Sequence, residues 1–175
     1  MRNWIYALGA WAVLAGSPAL GAVTASGPAG FTVTETTHIA AAPDKVFATL
    51  ITPARWWSSD HTYSHDAANL SLDPRAGGCW CERLPGGGSA EHLRVVYLAP
   101  GKTLRLRGGL GPLQGMAADG VMTWTLASAA DGTDVKVSYA VFGDPAANLP
   151  ALGGPVDNVL GQQVVRLKAA AEAGR

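Results

Sequence analysis

Charged residues are scarce in this sequence, and neither sign prevails. Of 175 residues, 13 are Lys or Arg and 13 are Asp or Glu, so the formal net charge is zero. Such a balance gives no electrostatic reason to bind nucleic acid or an anionic membrane surface. A charged fraction of 15% beside 48% hydrophobic residues also excludes a disordered chain. The length favours one folded domain with a single apolar core.

Long apolar runs are also lacking, apart from one at the N-terminus. Arg2 precedes an apolar segment at residues 4–16, and mostly small residues follow at 17–22. The run is shorter than the ~18 to 20 apolar residues that a membrane-spanning helix needs. A basic start, an apolar middle and a small-residue end are the parts of a cleavable secretion signal.

We therefore expect residues 1–22 to be a signal peptide, cleaved after Gly21 or Ala22. The mature protein is then periplasmic or secreted, with no stable membrane insertion. Residues 23–30 are small and turn-prone, and we expect them to form a spacer before a domain at 31–175.

The apolar pattern after residue 30 predicts an α+β domain. Alternation at residues 31–39 predicts a first strand, Pro43 and Asp44 open a helix, and Pro53 begins a second short helix or turn. A last helix is predicted from Pro155. Six further strands are predicted between the second helix and the last one, separated by turn signals. Their short connections imply antiparallel pairing. They lie at residues 70–72, 77–84, 92–98, 103–107, 121–127 and 133–142.

This element order and several local motifs resemble the START-like superfamily of helix-grip folds. The motifs are Ala42-Pro43-Asp44-Lys45-Val46-Phe47, Trp56-Trp57, Asp73-Pro74-Arg75-Ala76-Gly77-Gly78, Val96-Tyr97-Leu98-Ala99-Pro100 and Lys102-Thr103-Leu104. They are similar to the branch related to the C-terminal domain of the activator of the Hsp90 ATPase, over about residues 31–172. The resemblance implies a curved antiparallel sheet of about six to seven strands wrapped around a long C-terminal helix, with two short helices after strand one.

The same resemblance implies a cavity between sheet and helix. We expect it to hold a small hydrophobic or amphipathic molecule, without a cofactor and without catalysis. An exported protein meets neither Hsp90 nor ATP, so a co-chaperone role is not expected. Two alternatives stay open, namely an enzyme of cyclase, hydratase or hydrolase type and an envelope module for protein interaction or stress. No protein partner follows from the sequence.

Strand periodicity indicates which side chains face this cavity, because alternate residues point to opposite faces of a sheet. We place Trp80 inside, and Glu82 follows it. A carboxylate there would have a raised pKa and serve as acid, base or polar anchor, with His92 on the next strand as its catalytic partner. The alternatives are a surface glutamate at the end of the strand, or one paired with an arginine such as Arg94 or Arg105. The side chains expected to bind the ligand are Trp56, Trp57, Trp80, Glu82, Tyr97, Leu106, Met122, Trp124 and Tyr139.

Only two cysteines are present, two residues apart in Cys79-Trp80-Cys81. Export would expose them to an oxidising environment. In an extended strand their Cα atoms would lie about 7 Å apart, at the outer limit for a disulfide, so an unstrained bond is not expected. Packed thiols are the leading interpretation. The alternative is a zinc or copper(I) site in which both thiolates join His61 and His65.

Overall fold

Within residues 20–173, which the computed structural model describes, eight strands form a curved, open antiparallel sheet beside one long C-terminal helix. In chain order the elements are β1 (Leu20–Gly27), β2 (Gly30–Ile39), α1 (Pro43–Leu50), β3 (Leu70–Leu72), β4 (Cys79–Arg83), β5 (Ser89–Ala99), β6 (Thr103–Arg107), β7 (Ala118–Ala129), β8 (Gly132–Gly143) and α2 (Gly153–Glu172). The strands lie in the order β1-β2-β8-β7-β6-β5-β4-β3. The predicted α+β helix-grip fold is confirmed.

The sheet has one strand more than the sequence pattern predicted. β1 pairs along β2 with Val23 opposite Val33, so the spacer expected at residues 23–30 is for the most part an edge strand. Its composition concealed it, because Ala and Gly interrupt the β-branched residues that mark strands. Residues 1–19 of the expected signal peptide lie outside the described residues.

The short helix or turn predicted at Pro53 is present. Pro53–Arg55 forms a 3-10 helix of three residues. The turn directs Trp56 and Trp57 into the interior, where their indole nitrogens donate to the carbonyls of Leu50 and His61 at 3.3 and 2.9 Å.

Side chains from one face of the sheet make up the core, and α2 packs on this side against β1 and β2. Neither helix within residues 20–173 is long and apolar enough to cross a membrane. The inward residues predicted for the central strands are all buried; they are Leu104, Leu106, Met122, Trp124, Leu126, Val135, Val137, Tyr139 and Val141.

Four tryptophans pack against one another in this core. Trp56 packs edge to face against Trp57, Trp80 and Trp124, with ring centroids 5.4, 6.1 and 5.8 Å apart. Trp57 and Trp80 meet in the same way at 5.0 Å. Such pairs contribute about 0.5–1.5 kcal/mol each beyond area burial. The cluster therefore joins the segment after α1 rigidly to β4 and β7.

A β-bulge in β5 turns His92 inward. Trp80 pairs with Leu93, but Cys81 pairs with Glu91, so His92 is an extra residue with no partner on β4. Strict alternation would put His92 and Leu93 on opposite faces. Because the bulge interrupts the alternation, both are buried.

A second bulge in β5 turns Tyr97 outward. Val95 pairs with Leu106 and Tyr97 with Arg105, which leaves Val96 as the extra residue. Val96 and Tyr97 are both exposed, 47% and 50%. The guanidinium of Arg105 lies over the Tyr97 ring, 5.6 Å from its centroid. The prediction that Tyr97 binds a ligand in the cavity is therefore wrong.

The buried hydroxyl of Tyr139 holds the segment that follows β6. It accepts a hydrogen bond from the Leu110 amide at 3.1 Å and donates one to the Gly108 carbonyl at 2.8 Å. Burial raises the pKa of Tyr139 to about 12, so the hydroxyl keeps its proton at physiological pH. One side chain thus positions the start of the loop at residues 108–117.

Replacement Tyr139→Phe is expected to lower the free energy of unfolding by about 1–3 kcal/mol, because two backbone groups lose their partner in the interior. Urea denaturation measures it. Tyr97→Phe is the matched control, and its exposed ring should leave stability unchanged within about 0.5 kcal/mol. Equal stabilities of the two variants would contradict this role of the Tyr139 hydroxyl.

Candidate functional site

A cavity of about 320 Å³ lies between the β3–β4 end of the sheet and the start of α2. Leu70 and Trp80 form its wall on the sheet, and residues 57 and 60–63 form a second side. The loop at residues 110–113 forms a third side. α2 closes the fourth with Pro155, Val156, Val159 and Leu160. Apart from residues 60–63 and His92, the lining is almost entirely apolar.

A buried pair of ionisable side chains lies at the cavity wall. Nε2 of His92 is 2.8 Å from Oε2 of Glu82, and both residues are nearly inaccessible to solvent, at 6% and 1% exposure. The amides of Tyr63 and Ser64 donate to the same carboxylate at 3.1 and 2.5 Å. Three donors therefore converge on Glu82, as the burial of a carboxylate requires.

These donors determine the ionisation of Glu82. Burial by itself would raise the pKa, but hydrogen bonds from Ser64, the Tyr63 amide and His92 outweigh burial and lower it below the ordinary value. The raised pKa expected from the sequence is therefore wrong. The alternative, pairing with an arginine, is not found, since Arg94 pairs with Glu91 and Arg105 lies over Tyr97.

An ionised Glu82 fixes the tautomer of His92. A carboxylate only accepts, so Nε2 must carry the hydrogen and Nδ1 becomes the acceptor of the neutral ring. The Tyr63 ring stacks on the imidazole with centroids 5.6 Å apart, and its hydroxyl donates to the Gly111 carbonyl at 2.7 Å. His92 lines the cavity, whereas Glu82 lies behind it. Glu82 thus holds the His92 imidazole in one orientation, and His92 is the member of the pair that can contact a ligand in the cavity.

Few of the side chains expected to bind a ligand reach the cavity. Trp57 and Trp80 line it, and Glu82 acts through His92. The loop residues and the α2 residues of the lining were missed, although the helical spacing of Val156, Val159 and Leu160 was visible in the sequence. The other expected side chains are buried in the core without lining the cavity; these are Trp56, Leu106, Met122, Trp124 and Tyr139.

The structure does not assemble the metal site considered from the sequence. Cys79 and Cys81 form a disulfide with Cα atoms 5.3 Å apart, so the expectation of packed thiols is wrong. His61 lines the cavity and His65 is exposed. Within residues 20–173, no group of three or more His, Cys, Asp or Glu side chains is arranged to hold a metal ion.

A second buried carboxyl lies where β2 meets α2. Glu35 is 2% exposed, and a Cβ on Gly21 would overlap its carboxylate. Burial, a hydrogen bond to Asp157 and repulsion from that carboxyl raise the pKa of Glu35 to about 7. Glu35 therefore keeps its proton up to about neutral pH. Asp157 directly follows the cavity residue Val156.

Residues 30–172 match the family model described as polyketide cyclase / dehydrase and lipid transport. The matched region covers all of the sheet except β1, and it includes α2 with its cavity residues. The Hsp90-activator branch suggested by the local motifs is not confirmed by this match. No curated protein matches the sequence significantly.

Solved structures share the fold at low identity. A Mesorhizobium loti protein is 18% identical, with a TM-score of 0.58, covering 82% of this chain and 98% of its own. A Rhodobacter sphaeroides protein is 15% identical, with a TM-score of 0.60 and coverages of 89% and 100%. A protein of the dynemicin biosynthetic locus is 19% identical, with a TM-score of 0.57 and coverages of 82% and 48%.

The Glu35 carboxyl makes stability depend on pH. Its pKa rises from 4.5 in the unfolded chain to about 7 in the folded protein, so its full contribution is present below pH 4.5. As pH rises through 7 the free energy of unfolding should fall, by up to about 3 kcal/mol. Glu35→Gln should flatten this slope, measured by urea denaturation between pH 4.5 and 8.

The exposed Glu91 supplies the control, since Glu91→Gln should retain the slope. Glu82 acts in the opposite sense, because folding lowers its pKa, and it is present in both variants, so its contribution cancels in their comparison. An unchanged slope in Glu35→Gln would show that another group is responsible.

Proposed function

The chain belongs to the polyketide cyclase/dehydrase and lipid transport family, and we propose that it holds a small hydrophobic or amphipathic molecule between the sheet and α2. The apolar cavity of about 320 Å³ carries this proposal. Its volume is within the range of small-molecule sites, and tryptophan, leucine and valine side chains dominate its lining.

The polar lining favours an amphipathic ligand. It comes from residues 60–63, together with His92, whose ring stacks on Tyr63. Apolar side chains of β4 and α2 line the remaining walls. A ligand would therefore place its polar group against His92 and its hydrocarbon part along Val156 and Val159.

Export to the periplasm or beyond is also part of the proposal. It is supported by the signal-like pattern of residues 1–22 and by the Cys79–Cys81 bond, since disulfides persist in oxidising compartments. Mass spectrometry of the protein from its native envelope tests it, because cleavage would give a chain starting at Ala22 or Val23. A mass that includes Met1 would contradict it.

Catalysis is a second candidate function, and the Glu82–His92 pair favours it. A buried carboxylate that orients an imidazole beside an apolar cavity is an arrangement used for general-base chemistry. The assignment differs from the sequence expectation, because His92 would transfer the proton and Glu82 would position it.

Filling the cavity should weaken ligand binding. We expect Val159→Trp to weaken the binding of anilinonaphthalene sulfonate, measured by its fluorescence, by about tenfold or more. Val165→Trp places the same side chain elsewhere on α2, at a position where the valine is 57% exposed. This variant should bind the dye as the parent protein does. Dye binding that survives in Val159→Trp would exclude this cavity.

A proton-abstraction probe tests the catalytic candidate without knowledge of the substrate. 5-Nitrobenzisoxazole opens when a base removes its ring proton, and an oriented His92 should accelerate this reaction over buffer. His92→Phe should abolish the acceleration, and Glu82→Gln should lower it by about tenfold or more. Arg83→Gln, an exposed change on the same strand, is the control. Identical rates for the parent protein and His92→Phe would exclude His92 as the base.

A further inference from the structure

The disulfide shortens β4 at the point where it carries the site. Cys79 and Cys81 lie on the outer face, half-buried, while Trp80 between them lines the cavity and Glu82 follows. Residues two apart in an extended strand have Cα atoms about 6.5 to 7 Å apart. Here the separation is 5.3 Å, which is ordinary for a disulfide. The bond thus contracts this part of β4 by more than about 1 Å.

The neighbouring strand β5 gains a residue where β4 is contracted. Opposite the step from Trp80 to Cys81, β5 carries the extra residue His92. A contracted β4 therefore faces a lengthened β5, and the extra residue is the one that binds Glu82 at 2.8 Å. The contraction of β4 and the bulge in β5 together bring the His92 imidazole within hydrogen-bonding distance of the Glu82 carboxylate.

We propose that the Cys79–Cys81 disulfide is a thiol–disulfide exchange site that controls the cavity. The oxidised bond keeps Glu82 against His92. Reduction by a dithiol lets β4 extend, separates the pair and weakens ligand binding. The consequence for the ligand rests on the proposed binding function, whereas the consequence for the Glu82–His92 hydrogen bond does not.

The residues of β5 beside the disulfide are exposed. Arg94 is the cross-strand partner of Cys79, and Glu91 is that of Cys81. Both partners lie on the outer face and form an ion pair with each other. The disulfide therefore lies on the opposite side of the sheet from the cavity, where a dithiol can approach it from solvent.

The exchange is a two-electron reduction of the protein. A thiolate of the dithiol attacks Sγ of Cys81, the protein disulfide breaks, and Cys79 leaves and takes up a proton. The second thiol of the dithiol then attacks the mixed disulfide, forms a cyclic disulfide and releases Cys81 as a thiol. The protein gains two electrons and two protons, which the dithiol loses.

The experiment compares the oxidised and dithiothreitol-reduced full chain by ¹⁵N NMR of the histidine side chains and by titration with anilinonaphthalene sulfonate. On reduction, which adds 2 Da to the mass, the Nε2 proton of His92 should lose its hydrogen-bonded shift, and the dye should bind at least about threefold more weakly. The double variant Cys79→Ser with Cys81→Ser should behave like the reduced protein and ignore dithiothreitol.

The outcomes separate this inference from the proposed function. An unchanged His92 signal after complete reduction, or a mass that dithiothreitol does not change, would overturn the inference. A shifted signal with no dye bound in either state would support redox control and overturn the ligand proposal. If the double variant does not fold, the parent protein in its two redox states gives the answer alone.

Discussion

The site depends on the burial of one carboxylate. Removing Glu82 from water costs several kcal/mol unless donors replace its hydration, and the amides of Tyr63 and Ser64 together with His92 supply them. Tyr63 and Ser64 are neighbours in the loop before β3, whereas His92 belongs to β5. The ordering of the loop, the inward turn of His92 and the ring stack with Tyr63 therefore follow from a single desolvated charge.

The sequence predicted most of the fold because its periodicities were regular. The strands from β6 to β8 alternate without interruption, and the burial of Leu106, Trp124 and Tyr139 followed directly. Prediction was wrong where alternation breaks. The bulges at His92 and Val96 depend on hydrogen bonds to neighbouring strands, which no local pattern encodes, so Tyr97 was placed inside.

The candidate site was harder to predict than the fold because tertiary contacts create it. Glu82 was placed on the correct face, but its ionisation depends on amides about 18 residues away in sequence. The disulfide was missed for a related reason, since an extended strand was assumed where β4 is contracted. The burial of Glu35 could have been read from its alternation with Val33 and Ile39.

The protonation of Glu35, where β2 meets α2, links helix docking to proton uptake. The same helix carries the cavity residues Val156 and Val159, so a molecule that binds only to the docked helix also favours the protonated Glu35. Thermodynamic reciprocity then requires that such a ligand draw a proton from solution near pH 7 and be released more readily in alkali. Ligand binding in the cavity and the titration of Glu35 would then be linked through α2.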